Sequence, residues 1–380
     1  MSPAGRRLAL ILFLSGLVAS SAVAQVTGRG PAVVGGFEAR EYRFAAPFVI
    51  RSIAQSTIPI GGVATYGRLS LDAGTFWAAT TLTRRDGTYR RVTGFTDTQV
   101  RAAWVFGRDA IVVSLMANLP TGLDRMSPAD FDVLGTVSST FLAFPVNAYA
   151  NGGSLTAAAA GVLPAGAWTL GLATSLRGSR TFTPVVDPVA GPLRYRAGIE
   201  GRARLGADRL LGASRLSLGL TLSGFGDDQY AGLGISRGSY QPGTRWIGEA
   251  VLTAPLGAGT LTGVLWGYHR RAGDTAGVRL TNAERVAGLT LSGRWPVAPR
   301  VDLEPGVEVR HGALEGGKGL LGGAGMGGRV RMSRRLSAWG GVRHDRGYLD
   351  VKSFRDDGSV EVARTGLRTW YLSGLVRVAY

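Results

Sequence analysis

From about Leu69 to the last residue, apolar positions exchange with polar or small ones at a period of two, and no helical period is sustained. Val100, Ala102, Trp104 and Phe106 fall on one phase, with Asp97, Gln99, Arg101 and Ala103 on the other. Leu216, Leu218, Leu220 and Leu222 alternate with Arg215, Ser217, Gly219 and Thr221. Val301, Leu303, Pro305, Val307 and Val309 alternate with Asp302, Glu304, Gly306, Glu308 and Arg310. Tyr195, Ala197, Ile199 and Ala203 alternate with Arg194, Arg196, Glu200, Arg202 and Arg204. Successive side chains of a strand point to opposite faces, so each segment carries one apolar and one polar wall. A soluble sandwich would show the same alternation, and the connections are what separate the two. Short turns at residues 107–109, 164–167, 206–209, 256–259, 297–300 and 333–335 alternate with longer loops, including 120–147, 227–244 and 352–365. Tight turns at one end and long loops at the other are the arrangement of a transmembrane barrel. The expected fold is all-β: an antiparallel up-and-down transmembrane β-barrel over residues 69–380, with about 14 strands and 12–16 possible. Residues 25–68 either add two strands, near 42–53 and 57–66, or tuck into the lumen as a plug.

Both ends of the chain bear on its compartment. Leu372, Gly374, Val376, Val378 and Tyr380 alternate up to an aromatic last residue. This resembles the terminal-strand signal that delivers bacterial barrels to the outer-membrane assembly machinery, so Val376, Val378 and Tyr380 are read as an assembly signal. At the other end, Arg6 and Arg7 precede an apolar run from Leu8 to Val18 and an Ala22-Val23-Ala24 site. These are the three parts of a cleaved signal peptide, residues 1–24, leaving a mature chain from Gln25. The expected location is the outer membrane of a Gram-negative-type bacterium, with lipid and lipopolysaccharide as neighbours.

Composition narrows the function. The absence of cysteine removes disulfide frameworks, zinc ribbons, iron–sulfur clusters and thiol catalysis. Charged residues are 18% of the chain, against an ordinary ~25%. A low charge is intelligible where one strand face meets lipid, since a charge there costs about 2–4 kcal/mol at mid-depth. The net charge of +17 comes from arginine, for the lysines are only Lys318 and Lys352. Phosphate recognition normally uses both residue types, so nucleic acid is not an expected partner.

Gly317, Gly319 and Gly322 match a GxGxxG nucleotide loop, yet the glycine-rich run that follows is a poor helix former, and a tightly packed strand explains it better. His269, His311 and His344 sit near outer strand ends, where a lipase would need its histidine, but a histidine at a rim is far more often a solvated interface residue. Glu304 and Glu308 share a face at a spacing open to a glycosidase pair. Polar lining of a lumen accounts for them with fewer assumptions. No enzymatic activity, cofactor or metal is expected.

The charged inner phase carries the functional reading. Arg101, Arg194, Arg196, Arg202, Arg204, Arg294, Arg343 and Arg377 share it with Asp97, Glu200, Glu304 and Glu308. Rings of fixed charge set ion preference in a pore, and the excess here is positive. Cross-strand pairing inside a closed barrel is the competing explanation.

Residues 94–104, Gly-Phe-Thr-Asp-Thr-Gln-Val-Arg-Ala-Ala-Trp, are followed by a turn at Gly107 and by Ala117-Asn118-Leu119-Pro120-Thr121-Gly122. This pair of segments resembles the bacterial outer-membrane family labelled "MetA-pathway of phenol degradation", itself similar to the long-chain fatty-acid transporters. Thr96 stands where glycine is commoner in that family. The resemblance implies a channel for uptake of a hydrophobic or aromatic small molecule and carries no settled ligand residues. The alternatives are a general diffusion porin with anion preference and a non-transporting barrel that anchors other envelope parts.

Overall fold

The computed structural model describes residues 31–107, 110–275, 278–314, 317–354 and 360–380. The proposed signal peptide lies outside them. Among the described residues no helix is long and apolar enough to cross a membrane.

The wall is one antiparallel sheet that closes on itself. It starts with β1 (Ala32–Phe44), β2 (Ile50–Tyr66) and β3 (Leu69–Arg84). After β3 the next position is split into β4 (Tyr89–Phe95) and β5 (Thr98–Phe106), broken at Thr96 and Asp97. Then come β6 (Ile111–Leu119), β7 (Ser154–Ala165) and β8 (Trp168–Ser179). β9 (Phe182–Asp187) and β10 (Gly191–Arg196) rise above the wall before it resumes with β11 (Glu200–Leu211) and β12 (Ser214–Phe225). β13 (Asp228–Gly232) and β14 (Ile235–Tyr240) rise likewise, followed in the wall by β15 (Arg245–Leu256) and β16 (Gly259–Arg270). A small hairpin, β17 (Gly273–Thr275) and β18 (Val278–Thr281), precedes β19 (Glu284–Ala298), β20 (Val301–Leu314), β21 (Gly317–Arg331), β22 (Leu336–Phe354) and β23 (Val360–Ala379). β23 pairs with β1 from Ala32↔Ala379 to Phe44↔Leu367, which closes a barrel of sixteen strand positions. Among the described residues every wall strand except β4 pairs on both edges, as a sheet that meets lipid requires, and β4 pairs with β3 alone.

The outward phase is apolar: Leu71, Trp104, Leu115, Leu172, Leu205, Leu265, Val307 and Leu372 are all exposed on it. An apolar girdle of this extent is foreign to a water-facing surface and suits hydrocarbon.

The two strands beyond fourteen are β1 and β2, so residues 32–66 belong to the wall. Their bounds differ from the expected ones, because the β1–β2 turn lies at 45–49, inside the segment read as a strand. Alternation is blurred there for a physical reason: the inward Tyr42, Phe44 and Ile53 are apolar and buried. The turn expected at 206–209 is also displaced. β11 runs through it, keeping Gly206, Asp208 and the outward Leu205 in phase, and turns at Gly212, whose φ of +62° suits glycine.

β14, β13, β10 and β9 form a separate four-stranded sheet beyond the loop end of the barrel. Its Tyr195 hydroxyl donates to Asp228, and burial together with that carboxylate raises the tyrosine's pKa well above its ordinary value.

Candidate functional site: a lumen with a folded-in loop

The longest connection, residues 120–153 between β6 and β7, turns into the barrel. It carries a short 3-10 turn (Pro128–Asp130) and one helix, α1 (Phe131–Val137). Its Met126, Val133, Val137, Phe141, Leu142, Phe144, Val146 and Tyr149 join inward residues of the wall in one buried cluster, among them Tyr42, Ile53, Ala78, Val92, Val286, Leu321 and Leu367. This loop, read from sequence as lying outside, is the plug. The N-terminal segment, the candidate for that role in the sequence, is wall over residues 32–66, and its residues 25–30 lie outside the described ones.

Polar anchors fix the plug's register. The Gln55 amide donates to Val146 O at 2.7 Å and accepts from Val146 N at 2.9 Å, replacing the strand partner that this backbone lacks. Thr80 meets the Tyr149 hydroxyl at 2.7 Å. Arg40 and Tyr42 donate to the Leu142 carbonyl, and Arg310 to that of Phe141. Phe141 packs on bare backbone: a Cβ at Gly312 would come within 2.8 Å of its ring, and one at Gly319 within 2.7 Å. The GxGxxG run is thus part of β21, and Gly319 makes room for an aromatic ring.

Asp97 ties the two ends of the plug together. Its carboxylate accepts from Gly122 N at 3.0 Å and from Asn151 N at 2.7 Å. Its own N–H donates to Tyr149 O at 3.2 Å. A Cβ on Gly94 would lie 2.8 Å from Leu123, and one on Gly122 would collide with the Tyr149 carbonyl. The two halves of the Gly-Phe-Thr-Asp and Leu-Pro-Thr-Gly pattern therefore meet in space. Asp97, expected to line a pore, is instead buried and holds the plug's base.

The buried cluster that seats the plug takes wall residues from β1–β4, β16 and β19–β23. Among the described residues it takes none from β7, β8, β11, β12 or β15. That side of the lumen carries charge. Glu200 lies 2.6 Å from Arg202, 2.7 Å from Arg245 and 3.8 Å from Arg177, while Arg204 pairs with Glu249. Among the described residues this cluster holds four arginines and two glutamates, and Asp208 pairs with Arg215 at 3.1 Å further along β11 and β12.

Placement of the other expected pore residues is mixed. Arg101 is inward and bound to Asp72 at 2.8 Å. Arg294 pairs with Asp302 near the turn end, and Glu304 lies 3.6 Å from Arg329. Glu308 is held by Arg310 and Arg343, and Arg343 also reaches Asp345 at 2.9 Å. Arg377 lies on the inner phase opposite Val34 and Ser337. Arg194 and Arg196 are corrections. They sit exposed on β10, beyond the wall, because the chain breaks at residues 197–199, where Gly198 N donates to Asp228 at 2.7 Å. Sequence reading missed Arg177, on the adjacent β8, and Arg245, one strand beyond β12 on β15, both of which reach Glu200. Their inward phase within β8 and β15 was the available signal.

No known family matches the sequence, and neither does any curated protein. Among solved structures the chain is similar to a Pseudomonas aeruginosa FadL homologue at 8% identity and a TM-score of 0.49, covering 94% of this chain and 92% of that one. The CymD monoaromatic hydrocarbon channel gives 9%, 0.48, and coverages of 96% and 92%. An anion-selective porin from Comamonas acidovorans gives 13%, 0.41, and coverages of 92% and 98%. By its own architecture the protein is a closed transmembrane-type β-barrel with a loop folded into its lumen.

Proposed function

We propose that the protein is a passive channel of the outer membrane of a Gram-negative-type bacterium, with its long loops outside, and that it passes small anions in preference to cations. The observation that carries this reading is the unplugged side of the lumen, where Arg177, Arg202, Arg204 and Arg245 outnumber Glu200 and Glu249. Charge in a narrow, poorly screened path acts strongly on ions of either sign, so an excess of two sets a preference. The proposed path runs along this face, opposite the strands whose buried apolar residues seat the plug.

A second reading, uptake of a hydrophobic or aromatic molecule, has one observation of its own. The upper lumen is apolar where the plug meets Trp266, Tyr268 and Leu349. Protein in liposomes, compared by swelling in isosmotic salts of a small organic anion and of a small organic cation, separates the two. The anion should enter faster. No swelling above protein-free liposomes, with accelerated transfer of an aromatic hydrocarbon, would replace the first reading by the second.

A further inference from the structure

The outer wall carries a groove of ≈ 520 Å³ at the loop end of β15, β16, β19 and β20. Register builds it from single residues of adjacent strands. Trp246 faces His269, His269 faces Arg285, and Ala287, two residues on, faces His311. Directly opposed side chains have Cβ atoms about 4.5–5.5 Å apart, and diagonal ones about 7–8 Å, so the arginine and both imidazoles bound one recess. All are on the phase of the exposed Leu265, Leu289 and Val309, which is the lipid phase. The floor is small: Gly248 and Gly267 lie between the bulky neighbours, and a Cβ on either would meet nothing within 4 Å.

The charge distribution on these strands is one-sided. On the outward phase of β12, β15, β16, β19 and β20, the charged or imidazole groups among the described residues are His269, Arg285 and His311. The carboxylates Glu249, Glu284, Asp302, Glu304 and Glu308 all alternate inward. His269 Nδ1 is buried without a hydrogen-bond partner. Arg285 is the second residue of β19 and His269 the next-to-last of β16, which puts both at the headgroup level. A cation there costs about 0–1 kcal/mol, against about 2–4 at mid-depth. An arginine beside two imidazoles suits a phosphate, which the guanidinium binds through two parallel N–H bonds. A tryptophan at the same level suits the membrane interface.

We infer that this groove binds the phosphate of a phosphorylated lipid in the outer leaflet, whose acyl chains lie on Leu220, Leu265 and Leu289. The inference rests on the outer-membrane orientation proposed above. The test is native mass spectrometry of the purified full-length barrel, titrated in detergent with a bis-phosphorylated diglucosamine lipid or its phosphate-free counterpart. The phosphorylated lipid should be retained at least tenfold more tightly. Arg285→Gln combined with His311→Gln should abolish that difference. Gly267→Leu, which fills the groove with apolar bulk alone, should do the same and serves if the double variant inserts poorly. Equal retention of both lipids, retention unchanged in the variants that fold, or displacement of the lipid by an equimolar amount of inorganic phosphate would overturn the inference. A parent barrel that fails to insert into lipid at all would instead sink the membrane reading beneath it.

Discussion

Replacing Asp97 with alanine should release the plug without unfolding the barrel. Asp97 is 6% exposed, and its carboxylate accepts two backbone N–H groups, from Gly122 and Asn151, at the two ends of the inserted loop. Hydrogen bonds to a charged group contribute about 1.5–3 kcal/mol each, so the pair is worth about 3–6 kcal/mol to seating. Even the lower figure shifts the seated-to-released ratio about a hundredfold, since 1.4 kcal/mol is a factor of ten. The barrel itself should survive, because β3–β5 and β5–β6 pairing does not use the Asp97 side chain. Trypsin provides a clean reporter. Arg125 is the one tryptic site between residues 109 and 177, and in the seated plug its N–H is bound to Thr183 O at 3.0 Å. Cleavage that is slow relative to opening tracks the open population, so cutting at Arg125 should accelerate at least tenfold in Asp97→Ala. Single-channel conductance should rise in parallel. Asp97→Asn, which keeps one acceptor oxygen, should fall between. Cleavage and conductance both at the parent level would refute the assignment of Asp97 as the clasp.

Gln55→Leu removes both hydrogen bonds to Val146 from a buried site and should loosen the plug by about 1–3 kcal/mol, read as faster cleavage at Arg125 with the barrel still resistant to heat and detergent. Arg177→Glu with Arg245→Glu should reverse ion preference, measured as the sign of the zero-current potential in a salt gradient. Arg194→Glu with Arg196→Glu should move it far less, because those side chains are exposed on β10 beyond the wall; a larger shift from the second pair would place the path elsewhere. Tyr380→Asp should reduce the yield of heat-modifiable folded barrel, a band shift on unboiled gels, and an unchanged yield would remove Tyr380 from assembly.

The lower wall was legible because its two faces meet different solvents. Where Leu216 to Leu222 face outward and Ser217 and Thr221 inward, the period of two is visible in the sequence. The upper wall of β1 and β2 was not, because Tyr42 and Ile53 face an apolar plug and the contrast between phases disappears. The plug itself was readable in principle. Phe131, Val133, Leu134, Val137, Phe141, Leu142, Phe144 and Val146 make residues 131–146 too apolar for a loop in water. What the sequence does not carry is the direction in which such a loop folds, which Gln55, Thr80, Arg40 and Arg310 decide from four separate strands. Likewise, strand phase was enough to put Glu200, Arg202 and Arg204 inside. It gave no warning of the break at Gly198 that takes Arg194 and Arg196 out of the wall.

The proposed path runs along β8, β11 and β15 and prefers anions. Purified protein in a planar bilayer, under a tenfold potassium chloride gradient, tests it most directly. Stable conductance is expected, with a zero-current potential of the sign set by chloride. A potential of the opposite sign, or no conductance in a correctly inserted barrel, would contradict it.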